Sequence, residues 1–205
     1  EAEILSLVHS DPAGGFTVRL HYRFLPDSYL IDVRGEVEGV ANARTVLLNL
    51  GPTLAVHEAN PEEDARALAV VTRDRRERIE SVPLSRVSSD RVIDGPLSWV
   101  ALKNKYFLAA AVIAGEEGAA PFGGAIATPA EGEDAADIGI TLPISGDEFA
   151  FRLYLGPQEP NRLAAVGLGL EDVNPYGWRI LRPIIRPLGH LITWAPVSLH
   201  GPPRP

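Results

Sequence analysis

The chain carries five histidines, 27 carboxylates and 19 basic side chains but no cysteine, so neither a disulfide framework nor a thiolate zinc site can exist. His9, His21, His57, His190 and His200 show no ligand spacing such as His-x-x-x-His, so a metal site would be assembled only by the fold, and no cofactor is expected. Glu36 and Glu38 share one face of a strand pattern, the arrangement a glycoside-cleaving carboxylate pair would need, yet alternation alone already places polar residues there. The run Arg73-Asp74-Arg75-Arg76-Glu77-Arg78 joins two apolar strands and reads as an exposed hairpin end. Gly167-x-Gly169 lacks the third glycine of a dinucleotide fingerprint, and no nucleophile elbow or phosphate-cradling loop is present. These absences point away from an enzyme.

The one segment with a concentrated signal is C-terminal. Between Trp178 and Trp194, Leu181, Ile184, Leu188 and Leu191 recur at spacings of three and four, with Arg179, Arg182 and Arg186 on another face. Indole rings flanking a basic amphipathic stretch suit an anionic membrane interface; an ordinary helix docked on the domain edge is the alternative, and Pro183 and Pro187 argue against a straight one. Trp178, Arg179, Arg182, Arg186 and Trp194 are therefore the candidate contact residues. The tail after Ala195 carries three prolines in its last four residues.

A formal net charge of −8 disfavours nucleic acid as a partner. The best apolar run, Tyr106 to Gly115, is about half of the ~20 residues a spanning helix needs, so the chain as given reads as soluble. The first residues show no basic n-region or cleavage site, so a targeting segment is absent or already removed, and the lack of methionine hints at a piece of a longer chain.

The elements that would position such residues are mostly strands. From Phe16 to Phe24 apolar and polar residues alternate with period two, and after Leu25-Pro26-Asp27-Ser28 a second alternation puts Tyr29, Ile31, Val33 and Val37 on one face, predicting a hairpin. Further strands are predicted at 44–50, 67–72, 79–82, 97–103, 106–113, 138–144 and 149–155, with a turn at Asn104. The stretch 116–148 has eight carboxylates and no Lys or Arg, and reads as a solvated loop followed by a strand. Leu163, Val166 and Leu170 behind Pro160 predict a short helix weakened by Gly167 and Gly169. The prediction is a large antiparallel β-sandwich over 1–157, helices over 158–195 and a tail over 196–205.

Three segments, in this order, resemble the periplasmic domain of the YidC membrane protein insertases: Asp27 to Val33; Trp99 to Phe107; and Tyr154-Leu155-Gly156-Pro157 with Leu163, Leu170 and Tyr176-Gly177-Trp178. The likeness covers most of the chain and is weakest in 52–95 and 114–137. It implies a supersandwich akin to sugar-mutarotase domains, located on the periplasmic side of the bacterial inner membrane. It also implies that Trp178 to Trp194 is a helix on the membrane surface leading to a five-helix insertase core, and that nascent membrane proteins and Sec translocon components are partners. The groove that receives clients would lie downstream of Pro205, so no insertase residue carries over. A monomeric, non-catalytic domain is expected, with a carbohydrate-binding or mutarotase-like domain as the alternative.

Overall fold

The structure, a computed structural model, describes residues 2–40, 45–52, 54, 66–115, 119–131, 135–144 and 146–174. Eleven strands run in chain order: β1 (Glu3–Asp11), β2 (Phe16–Phe24), β3 (Leu30–Glu38), β4 (Thr45–Asn49), β5 (Ala69–Asp74), β6 (Ile79–Pro83), β7 (Arg91–Lys103), β8 (Phe107–Ile113), β9 (Phe122–Pro129), β10 (Ala136–Pro143) and β11 (Glu148–Pro157). A helix, α1 (Pro160–Val166), and a 3-10 turn, Leu170–Val173, follow. Every pairing among these strands is antiparallel.

The hydrogen-bonded order is β1-β2-β3-β11-β8-β7-β9-β10-β4, with β5 and β6 branching from β7. The branch arises because β7 is long enough to serve two sheets. Its C-terminal half, Trp99 to Lys103, lies between β8 and β5, whereas Arg91 to Leu97 pairs with β9. The register shifts between Asp94 and Leu97, and a bulge is the usual device by which one strand leaves one sheet for another. Gly95 permits the close approach there, since a Cβ on it would sit 2.2 Å from the Gly123 carbonyl oxygen.

Alternation then assigns the two faces. Val100 and Leu102 of β7, Ala111 and Ile113 of β8 and Phe149 and Phe151 of β11 join Val33, Ile138, Ile140 and Leu142 in the core between the sheets. Their neighbours Trp99, Ala101, Leu108, Ala110, Val112 and Tyr154 form a second cluster on the opposite face, closed by Leu163, Val166, Leu170 and Val173. Strands buried on both faces lose the alternating signature, as Trp99 to Leu102 do.

The sandwich is the predicted fold, with β2 and the β7–β8 turn where the sequence put them. Two strands escaped the sequence reading. In β1 no face is buried, so apolar residues follow no period. In β9, Phe122, Ala125 and Ala127 face the core within a run of Gly and Ala, so 122–129 is a strand and not the solvated loop expected. Tyr29 precedes β3 and packs on Tyr154 rather than continuing the β3 face. Leu170 belongs to a separate 3-10 turn, because Gly167 at φ 84° ends α1.

Candidate functional site

The residues singled out by sequence, Trp178, Arg179, Arg182, Arg186 and Trp194, lie outside the described residues. What the structure does bring together are the three segments that carried the family likeness, the third as far as Leu170, since its Tyr176-Gly177-Trp178 lies outside the described residues. Asp27 to Val33, Trp99 to Phe107 and Tyr154 to Leu170 are far apart in sequence and meet around α1.

The first contact is aromatic. Tyr29 stands edge-on to the buried Tyr154, with ring centroids 6.2 Å apart, and the Arg162 guanidinium of α1 lies 5.1 Å from the Tyr29 ring centre. Gly156 makes room for Tyr29, since a Cβ there would come within 2.5 Å of the ring. The Tyr154 hydroxyl donates to the Pro157 carbonyl at 2.7 Å, and burial pushes its pKa up, against a smaller lowering by Arg162. Asp27, Ser28 and Tyr29 together with Tyr154, Arg162 and Val166 line a shallow depression of about 170 Å³.

The second contact fastens the β7–β8 turn. Buried Asn104 accepts the Tyr106 and Phe107 amides on Oδ1 at 2.9 and 2.8 Å. Gln158, just past the Tyr-Leu-Gly-Pro segment, donates through Nε2 to the carbonyls of Asn104 at 2.7 Å and Phe107 at 3.0 Å. Neighbouring Lys103 has its pKa lowered by burial.

The third contact is with the loop after α1. Leu168, at φ 56°, turns its carbonyl inward, where it accepts the Trp99 indole N–H at 3.1 Å and an N–H of Arg73. Gly169 lies against Arg73, whose side chain is mostly buried, so the basic run is only partly the exposed hairpin end read from sequence. At that end Asp74 experiences burial, which would raise its pKa. Hydrogen bonds from the Arg78 and Arg76 amides and the Arg78 guanidinium outweigh this and hold it low.

The other chemistry-bearing residues fall on the outer face of β2, β3 and β11. Glu36 and Glu38 are bridged by Arg19 at 3.8 and 2.5 Å, the solvated strand face that alternation predicted. His21, Arg34, Glu36 and Glu148 line an open cleft of about 360 Å³ with Leu142, Phe149 and Ala150. His21 Nδ1 is 2.8 Å from the Ser6 hydroxyl. Among the described residues no group of three or more His, Asp or Glu could hold a metal ion, and no helix is long and apolar enough to cross a membrane.

Sequence reasoning missed the contribution of Arg162 and Gln158. The partners of Gln158 lie 54 and 51 residues earlier and the ring under Arg162 lies just before β3, and only the fold brings them together.

Architecture and contacts define a class, a large antiparallel β-sandwich with α1 and the following 3-10 turn packed on one outer face. The chain belongs to the YidC periplasmic domain family, whose model matches residues 4–190. Membrane protein insertases named YidC are similar over most of it. That of Oleidesulfovibrio alaskensis is 28% identical over 177 residues, covering 84% of this chain and 32% of the relative. Those of Syntrophobacter fumaroxidans and Laribacter hongkongensis are 28% and 27% identical, each over 82% of this chain, and over 31% and 33% of their own length. The chain thus spans about a third of these relatives. Among solved structures, a GH36 α-galactosidase of Geobacillus stearothermophilus is similar with a TM-score of 0.49 and 16% identity, over 79% of this chain and 25% of that one; a likeness at that level says nothing about activity.

Proposed function

We propose that this chain is a non-catalytic periplasmic domain of a YidC-type insertase, supporting insertion and folding of inner-membrane proteins through contacts with the Sec translocon or with client chains. The observation that carries this reading is the family match over 4–190, reinforced by the meeting of its three signature segments around α1. In this reading Trp178, Arg179, Arg182, Arg186 and Trp194 rest on the anionic periplasmic surface of the inner membrane.

Co-sedimentation with anionic liposomes tests the membrane contact. Salt-sensitive binding that is lost on Arg179→Glu, Arg182→Glu and Arg186→Glu together is expected; no binding by either protein sinks that role. The larger role is tested by grafting the chain in place of the periplasmic domain of a YidC with an intact membrane core. Insertion of a client should be sustained, and failure of a folded graft to support it would count against the reading.

A sugar-binding domain is the second reading, favoured by the convergence of His21, Glu36 and Glu148 on one cleft. Against it, Glu36 is shared with an Arg19 bridge and His21 is engaged with Ser6. Amide shifts confined to the cleft on titration with monosaccharides would revive it.

A further inference from the structure

Among the described residues three strands have a single hydrogen-bonded neighbour, β1, β4 and β6, and they are not alike. β4 and β6 are each five residues long, and β6 ends in Pro83. Shortness and proline are standard ways of blunting a sheet edge. β1 has nine residues, no proline, no lysine or arginine and no bulge; its register with β2 runs without a shift from Glu3↔Phe24 to Asp11↔Phe16.

Its side chains are the reverse of protective. Ile4, Leu5, Leu7 and Val8 are between 48 and 68% exposed. Leu5 and Leu7 lie opposite Tyr22 and Leu20, which pack on the core, while Ile4 and Val8 lie opposite Arg23 and Arg19 on the other face. Apolar surface therefore flanks the open edge on both faces, and its two ends are acidic, Glu3 and Asp11.

We propose that the edge of β1 left without a neighbour among the described residues is a strand-addition site for an extended segment of another polypeptide, apolar in its middle and carrying Lys or Arg at its ends. Main-chain hydrogen bonds would supply the affinity, and the side chains the register. The charges select this occupant over a second copy of the chain. Antiparallel self-pairing centred on Leu7 places Glu3 opposite Asp11, and in-register parallel pairing stacks Glu3 on Glu3, so each juxtaposes like charges. The net charge of −8 draws a basic partner from a distance as well. The site rests on the geometry of β1 and is independent of the membrane contact proposed above.

The probe is a fluorescein-labelled peptide of seven alternating valines and threonines with a lysine at each end, followed by anisotropy and by amide spectra of the labelled chain. Saturable binding that shifts and protects the amides of Glu3–Asp11 is expected, weaker by about threefold or more for the same peptide ended in glutamates. N-methylating the valines blocks one edge of the peptide and N-methylating the threonines the other. One isomer should lose about tenfold or more in affinity and the other should bind nearly as before. Val8→Lys, at an exposed position, should weaken the lysine-ended probe while leaving the melting temperature in place. Equal binding by both isomers, shifts gathered in the His21 cleft instead of β1, no binding, or edge-to-edge dimers of the chain without peptide would each overturn the proposal.

Discussion

The indole N–H of buried Trp99 donates to the carbonyl of Leu168, 69 residues later, across 3.1 Å, and so ties the centre of β7 to the loop that follows α1. Leu168 itself adopts φ 56°, a conformation that a non-glycine residue keeps when its surroundings enforce it. Trp99→Phe removes the donor and part of the ring, leaving the carbonyl to Arg73 and a void beside Leu170. A loss of about 1–3 kcal/mol is expected, with a melting temperature lower by about 2–4 °C per kcal/mol. Thermal melts by circular dichroism read it, and an unchanged melt would show that the Leu168 loop is held without the indole.

Two glycines make room for aromatic rings, and replacing them should not cost the same. A Cβ on Gly35 would lie 2.1 Å from the Phe149 ring, and one on Gly156 would lie 2.5 Å from that of Tyr29. Phe149 is enclosed in the core, whereas Tyr29 is partly in solvent and can swing away. Gly35→Ala is expected to destabilise by about 2–3 kcal/mol or more and Gly156→Ala by about 1 kcal/mol. Chemical denaturation orders the two, and the reverse order would mean that the packing of Tyr29 on Tyr154 is the stiffer contact.

How much of this could be read from the chain follows from which faces are buried. Phe16 to Phe24 alternates because one face of β2 meets the core, and the sequence placed its ends at the residues observed. β1 gives no period because neither face is covered, and β9 gives little because Gly123 and Gly124 occupy places where larger side chains would strike Thr141 or the Ile93 carbonyl. The Tyr-Leu-Gly-Pro segment marked the end of β11 and the start of the helix region, but the stop at Gly167 came sooner than the spacing of Leu163, Val166 and Leu170 suggested. Neither the Arg162–Tyr29 stacking nor the convergence of His21 with Glu148 had a local signature, since the first joins a helix to the turn before β3 and the second joins two different strands.

Lys103 gives the pH dependence a definite sign. Burial lowers its pKa in the folded chain below that of an exposed lysine, so between the two values the unfolded chain binds more protons, and stability rises as pH climbs towards about 10.4. Tyr154 acts the other way at higher pH, because its raised pKa keeps the folded phenol protonated after the unfolded one has ionised. Lys103→Met isolates the first effect. The variant should be the more stable protein at pH 7, and its advantage should shrink as pH rises from 8 towards about 10.4. Denaturation midpoints across that range check it; an advantage independent of pH would assign the gain to packing of the methionine.

Asn104 is the residue on which the β7–β8 turn depends most directly. Its side-chain oxygen takes both amides that would otherwise point into the turn, Tyr106 at 2.9 Å and Phe107 at 2.8 Å, while its carbonyl takes the Gln158 amide at 2.7 Å. Asn104→Ala strips the first two bonds and leaves the third group in place, so the turn loosens while the Gln158 link, made to the main chain, persists. A loss of about 1–3 kcal/mol is expected, together with faster hydrogen exchange at the Tyr106 and Phe107 amides and little change in those of β2 and β3. Asn104→Asp keeps both acceptors at the cost of a charge in a buried place, and should recover the slow exchange more fully than the stability. If the alanine variant leaves the two amides as slow as before, another group closes the turn and the asparagine is a bystander in the segment that joins β7, β8 and α1.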